Sequence, residues 1–243
     1  MQVKLYNGDC LKILKDIPDN SIDLIVTDPP YMMTTGDSGG AFGKDKRAYH
    51  NEIDPLTKNF DLAILDELVR VLKKINIYIW CSKEQIRDIL NYFYEKKCVI
   101  DILTWHKTNP MPTCNGTYLS DTEYLVFARE KGVGLYGTYE TKNKYWVTPA
   151  NVDDKQMWKH PTIKPLNIIE NLVINSSKEN DVVLDCFMGS GTTGVACKEL
   201  NRDFIGIELN PEYFEIAQRR IGEISAIEHI VEENNYTKVS LID

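Results

Sequence analysis

The chain has 243 residues and 43% hydrophobic content, enough to bury a full core in one large domain or two small ones. Its 26% charged residues, 14 Gly and 10 Pro are ordinary globular usage and exclude collagen-like, low-complexity and coiled-coil chains. With 28 Lys plus Arg against 36 Asp plus Glu, the net charge of −8 argues against a protein that holds nucleic acid only by neutralising many phosphates, though not against a local basic patch.

In chain order, short β-rich apolar runs at 3–6, 22–27, 75–80, 99–105, 124–128, 182–185 and 204–208 predict seven strands. Helix-like stretches separate them, with Leu65, Leu68, Val69 and Leu72 at helical spacing, as are Ile169, Leu172 and Val173. That alternation predicts an α/β fold, a doubly wound parallel sheet covered by helices on both faces, within a single domain over 1–243. Two regions break the pattern. Residues 32–59, with Gly39, Gly40 and Gly43 as hinges, read as a long mobile loop, and 130–159 carries scattered aromatics with no clear period. Beyond Arg220, five acidic residues (Glu223, Glu228, Glu232, Glu233, Asp243) against Lys238 read as a solvated tail.

No stretch approaches the roughly 18 apolar residues that span a bilayer, and Met1-Gln2-Val3-Lys4 lacks the features of a signal peptide, so a cytoplasmic protein is expected. The cysteines at 10, 81, 98, 114, 186 and 197 form no CxxC pair, and no metal site is expected.

Two constellations carry chemistry. The first is Thr27-Asp28-Pro29-Pro30-Tyr31, directly after the predicted strand 22–27, at a strand end where open α/β sheets bind ligands. The prolines lack N–H groups, so the turn offers acceptors: the Asp28 carboxylate and the carbonyls of Asp28 and Pro29. Such a turn suits a donor such as an exocyclic amine and repels phosphate, and Tyr31 adds a flat face for stacking a base. The second runs from the strand 182–185 into Cys186-Phe187-Met188-Gly189-Ser190-Gly191-Thr192-Thr193-Gly194 and opens a helix. Gly189, Gly191 and Gly194 match GxGxxG, but Asp185 before the turn suits an ammonium, such as the amino-acid end of S-adenosylmethionine, better than a pyrophosphate. Glu208, at the end of the next strand, suits two ribose hydroxyls and is compatible with either NAD or S-adenosylmethionine.

Together these motifs resemble the β-class amino-methyltransferases of DNA, and the likeness covers nearly the whole chain. Asp28-Pro29-Pro30-Tyr31 resembles that family's catalytic motif, and Asp185-x-Phe187-x-Gly189-x-Gly191 its S-adenosylmethionine loop. His160-Pro161-Thr162-Ile163-Lys164-Pro165 is similar to the cofactor-flanking motif, Asn7-Gly8-Asp9 with Ser21-Ile22-Asp23 to the N-terminal entry, and Trp105-His106-Lys107-Thr108-Asn109-Pro110 to a segment lining the target-base pocket. The catalytic motif precedes the cofactor motif, which is the permuted order of the β class. The resemblance implies a seven-stranded Rossmann-like sheet with an antiparallel edge hairpin from 99–105 and 124–128.

It further implies S-adenosylmethionine as cofactor, contacted by Asp9, His160, Thr162, Lys164, Asp185, Phe187, Gly189, Gly191, Thr192 and Glu208. DNA is the implied partner, with a second copy of the chain and a restriction endonuclease as further candidates. The base would be flipped and stacked on Tyr31. Lys44, Lys46 and Arg47 of the loop 32–59 would hold phosphates, Lys107 and Asn109 would line the pocket, and Lys142 and Lys144 would belong to a target-recognition segment at 130–159. Asp in the first motif position is the usual form in adenine-N6 enzymes, while many cytosine-N4 enzymes have Ser there. An NAD-dependent oxidoreductase, from GxGxxG alone, and a catalytically silent nucleic-acid-binding module are the readings from other classes.

Overall fold

The computed structural model describes residues 1–30, 62–110, 112, 118–151, 157–158, 163–222, 226–233 and 236–242. In chain order the elements are β1 (Val3–Asn7), α1 (Cys10–Leu14), β2 (Leu24–Thr27), α2 (Leu62–Val71), β3 (Asn76–Cys81), α3 (Ile86–Glu95), β4 (Val99–Lys107), β5 (Thr122–Arg129), β6 (Tyr145–Thr148), α4 (Leu166–Ser176), β7 (Val182–Asp185), α5 (Thr192–Glu199), β8 (Asp203–Glu208), α6 (Pro211–Gly222), β9 (Ala226–Glu233) and β10 (Tyr236–Ile242). The ten strands form one sheet in the order β6-β4-β5-β3-β2-β7-β8-β1-β10-β9. Its centre, β3-β2-β7-β8-β1, is parallel.

The central strands are continuous apolar runs because helices cover both faces. Successive residues of a strand point to opposite sides, so β2 sends Leu24 and Val26 into one core and Ile25 into the other. On the first face Leu24, Val26, Val183 and Phe204 pack with Ile168, Leu172, Ala196, Ala217 and Ile221 of α4, α5 and α6. On the second, Ile25, Ile77, Leu184 and Ile207 pack with Ile13, Leu65, Leu68, Ile89 and Phe93 from α1, α2 and α3. Each such aliphatic side chain contributes about 1.5–3 kcal/mol when fully withdrawn from water.

All seven expected strands form, and three more join them. The hairpin β4–β5 is antiparallel as expected, but it is not the edge: β6, inside the segment 130–159, pairs parallel with β4 and covers it. The acidic C-terminal stretch is not a solvated tail. It folds back as the antiparallel hairpin β9–β10, with β10 paired along β1 from Val3↔Leu241 to Asn7↔Thr237. The open edge of β1 offers unpaired backbone groups, and a strand that satisfies them is favoured whatever its net charge.

The chain leaves β2 for β3 on one side and leaves β7 through α5 for β8 on the other. Between β2 and β7 the connections diverge, so the carboxyl ends of these strands border a crevice at a topological switch point.

Candidate active site

The two motifs meet at this crevice. Thr27, the last residue of β2, donates its hydroxyl to Asp185 Oδ1 at 3.0 Å, and the Cys186 sulfur lies 3.3 Å from that Thr27 hydroxyl oxygen. Asp185 closes β7 and is buried, taking two more hydrogen bonds, from Phe187 N at 3.1 Å and from the Thr193 hydroxyl at 2.7 Å. Burial pushes its carboxyl up to about 7 against the lowering effect of those donors, and the neighbouring Asp28 charge adds to the rise.

The glycine loop is shaped by backbone and packing together. Gly189 and Gly191 have φ of 52° and 82°, the left-handed region, and Gly191 caps α5. At Gly194 a Cβ would come within 2.4 Å of Ile221 Cδ1 and 2.7 Å of the Phe204 ring, so the third glycine lets α5 press against α6 and β8. Buried Arg220, which the motif pattern does not contain, donates to Ser190 O, Ser190 Oγ and Thr192 Oγ1 at 2.9, 2.8 and 3.1 Å and holds the turn from behind. Glu208 accepts from Gly189 N and Asn210 N, both at 2.8 Å, and burial raises its carboxyl. Leu209 N–H is a third backbone donor to this carboxylate, which leaves a lone pair for a ligand hydroxyl. Asp9 stands at the end of β1, next to β8, and caps α1 through Leu11 N at 2.8 Å.

Beside this loop stands the acceptor turn. Pro29 is buried and Pro30 exposed, and Gln85, buried at the start of α3, donates Nε2 to Pro30 O at 3.1 Å. The Gln85 Oε1 accepts from Ser82 N at 3.0 Å, so this side chain fixes the turn against the end of β3. The Asp28 carboxylate pairs with Lys164 Nζ at 2.7 Å, and the same ammonium contacts Glu123 Oε2 at 2.8 Å. Glu123 Oε1 in turn takes Lys107 Nζ at 2.6 Å. Burial alone would raise the Glu123 carboxyl, but Lys164 and Lys107 together pull it down to about 2.

The structure thus brings together Asp28, Pro29, Pro30, Lys164, Asp185 and the glycine loop, with Asp9 and Glu208 alongside. Lys164, expected at the cofactor, has its ammonium on Asp28. Lys107, expected on DNA, has its ammonium on Glu123 and over the Trp105 ring, 5.3 Å from its centre. Asn109 Oδ1 accepts from Ala150 N at 2.7 Å and ties the ends of β4 and β6. Lys142 is exposed in the turn before β6. Lys144 pairs with Asp101, six residues back along β4 from Lys107 and about 20 Å away, so it is not at the crevice. Tyr31, Lys44, Lys46, Arg47, His160 and Thr162 lie outside the described residues. Thr27 and Thr193 carry no assigned role in the sequence motifs, and Gln85, Glu123 and Arg220 lie outside them. Thr27 and Thr193 stand inside the two motif stretches, but their shared partner Asp185 lies on the neighbouring strand in one case and eight residues back across the glycine loop in the other.

A crevice with Asp9, Asp185 and Glu208 at three strand ends and glycines on its floor fits a ligand carrying hydroxyls and a cationic group, and disfavours a pyrophosphate. Among the described residues, no group of three His, Cys, Asp or Glu is arranged to hold a metal ion, and no helix is long and apolar enough to cross a membrane. Burial pushes the Cys81 thiol up to about 12 and those of Cys186 and Cys197 well above their ordinary value, which leaves them poor nucleophiles.

Comparison with known proteins points the same way. Residues 22–219 match the N6/N4 family described as DNA methylase. The chain is 34% identical over 241 residues to the type II methyltransferase M2.LlaDCHI of Lactococcus lactis subsp. cremoris, covering 90% of this chain and 89% of that one. It is 31% identical to the type II methyltransferase M2.MboI of Moraxella bovis, covering 92% and 89%. Among solved structures, the M1.HpyAVI complex with SAM superposes with a TM-score of 0.69 at 30% identity, over 90% of this chain and 99% of that one. The cytosine-N4-specific PvuII DNA methyltransferase shares the fold at 18% identity, with a TM-score of 0.69 over 96% and 88%.

Proposed function

The chain belongs to the DNA methylase family that modifies amino groups at N6 or N4, and on that premise we propose that it moves a methyl group from S-adenosylmethionine to the N6 amine of a flipped adenine in DNA. The observation that carries this reading is the Thr27–Asp185 hydrogen bond, which fixes the acceptor turn against the glycine loop at adjacent strand ends. S-adenosylmethionine supplies an electrophilic methyl on a sulfonium. Glu208 and Asp9 are suited to its ribose and adenine, the backbone of the glycine loop to its length, and the acidic crevice to its positive charge.

The amine of adenine is a weak nucleophile because its lone pair is delocalised into the ring. Hydrogen bonds from that amine to the Asp28 carboxylate and the Pro29 carbonyl favour a tetrahedral nitrogen and direct the lone pair at the methyl. The nitrogen–carbon bond forms as the carbon–sulfur bond breaks, with the electron pair leaving on sulfur. Positive charge then builds on nitrogen beside Asp28, where a fixed acceptor stabilises it most. Alignment of amine and methyl supplies much of the acceleration. The methylated amine is acidic once charged and loses its proton to solvent.

Asp28 in the first motif position supports adenine over cytosine. Tyr31 is the stacking surface for the extruded base, and Lys44, Lys46 and Arg47 are the phosphate contacts that accompany it. This reading also carries a cytoplasmic location, a restriction endonuclease partner and self-association as expectations. Incubation with duplex DNA and methyl-labelled S-adenosylmethionine, followed by nucleoside analysis, tests it. Label in N6-methyladenine is the expected result, and label in N4-methylcytosine overturns the assignment of the base.

A further inference from the structure

We infer that Glu123 is a positioning residue for methyl transfer, acting through Lys164 to hold the Asp28 carboxylate and to balance the ammonium beside it. The inference rests on the proposed amine chemistry at Asp28. Glu123 lies in none of the sequence motifs. It reaches the crevice because β5 runs against its neighbours: the start of β5 lies beside the ends of β3 and β4, in the register Cys81↔Tyr124 and Trp105↔Glu123.

Four charges alternate in sign leading away from the acceptor turn: Asp28, Lys164, Glu123 and Lys107, linked by contacts of 2.7, 2.8 and 2.6 Å. The Lys164 side chain is 9% exposed and that of Glu123 16%. Lys164 also sits 4.7 Å from the centre of the Trp80 ring, which packs edge-on against Trp105. In this poorly solvated setting each charge acts strongly on the next. An ammonium on Asp28 alone would cancel the negative potential that the amine nitrogen needs as it becomes cationic. Glu123 on the other side of that ammonium restores it, and Lys107 occupies the outer Glu123 oxygen. Lys164 meanwhile fixes the rotation of the Asp28 carboxylate, so that its acceptor geometry is set before the base arrives.

Among the described residues, the charged and titratable groups that face Asp28 are Lys164 ahead of α4, Asp185 on β7 and Cys81 on β3, with Glu123 on β5 and Lys107 on β4 behind the ammonium. Replacing Lys164 or Glu123 therefore has opposite electrostatic effects on Asp28. Lys164→Met removes the cation and makes Asp28 easier to protonate. Glu123→Gln, nearly isosteric, removes one of the two carboxylates on the ammonium, so that its charge bears more strongly on Asp28 and makes Asp28 harder to protonate.

The test is the single-turnover rate of methyl transfer to duplex DNA from pH 5 to 9 for the unaltered chain, Glu123→Gln, Lys164→Met and Lys164→Arg. Circular dichroism and S-adenosylmethionine affinity are measured on each. Glu123→Gln is expected to slow transfer roughly tenfold to a hundredfold with cofactor affinity changed less than about threefold. The acid limb of the rate profile is expected to move up in Lys164→Met and not up in Glu123→Gln, and Lys164→Arg is expected to recover most of the rate. A folded Glu123→Gln protein with the unaltered rate and profile overturns the inference, as does a profile shifted upward alike in both variants. If Glu123→Gln does not fold, the contrast between Lys164→Met and Lys164→Arg decides: no recovery by arginine and no shift of the limb overturns it. Absence of DNA methylation by the unaltered chain would instead overturn the functional reading, and this inference with it.

Discussion

Thr27 and Asp185 stand 158 positions apart in the chain, yet the Thr27 hydroxyl donates to Asp185 Oδ1 at 3.0 Å in the buried seam between β2 and β7. Thr27→Val keeps the shape and deletes the donor, leaving Asp185 with Phe187 N and Thr193 Oγ1 alone. The expected loss is about 1–2 kcal/mol of unfolding free energy, with weakened S-adenosylmethionine affinity. Urea denaturation and equilibrium binding measure the two, and a variant unchanged in both would show the tie to be incidental.

Asp185 also gives stability a pH dependence of defined sign. Burial raises its folded-state carboxyl to about 7, whereas an unfolded Asp titrates near ~4. Between those values the native state holds a proton that the unfolded state has lost, so this group lowers stability as pH climbs from about 4, with the full cost reached above about 7. Asp185→Asn removes that titration. In cofactor-free protein the variant should gain stability relative to the parent on going from pH 5 to pH 8, read from urea midpoints at both. A difference that stays constant with pH would contradict the assignment.

Gly194 is a packing glycine in a helix. A Cβ there meets Ile221 Cδ1 at 2.4 Å and the Phe204 ring at 2.7 Å, so Gly194→Ala must push α5 away from α6 and β8. A destabilisation of about 1–3 kcal/mol is expected despite alanine's better helix propensity. Thermal unfolding at matched pH tests this, and a gain in stability would mean that the contact is relieved cheaply.

Gln85 holds the acceptor turn from the opposite side. Gln85→Leu removes the donor to Pro30 O while filling a similar volume. Its expected signature is a fall in the methyl-transfer rate of roughly tenfold with little change in cofactor affinity, because Gln85 touches the turn and not the glycine loop. Parallel rate and binding assays separate the two, and a variant impaired mainly in cofactor binding would place its role elsewhere.

The parts legible in the sequence are those written in local pattern. Apolar runs such as Ile77 to Cys81 and Val182 to Leu184 announce buried parallel strands, and Gly189 and Gly191 announce a left-handed turn. What escaped is decided by distant partners. β6 is four residues long and exists through pairing with β4, and the acidic residues of β9 mask a strand whose position depends on the open edge of β1. Glu123 and Arg220 look like ordinary surface charges until folding brings Lys164, 41 positions away, and Ser190, 30 positions away, against them. The carboxylate partners of Lys107 and Lys144 are equally illegible, because a lone lysine carries no sign of the group it will meet.

The most direct measurement compares the unaltered chain with Asp28→Ala on unmethylated duplex DNA, using methyl-labelled S-adenosylmethionine and counting label per nucleoside. The account predicts label in N6-methyladenine for the unaltered chain. For Asp28→Ala it predicts a loss of at least roughly a hundredfold in rate while the variant still binds S-adenosylmethionine. Undiminished methylation by Asp28→Ala, or no methylated DNA base from the unaltered chain, would contradict it.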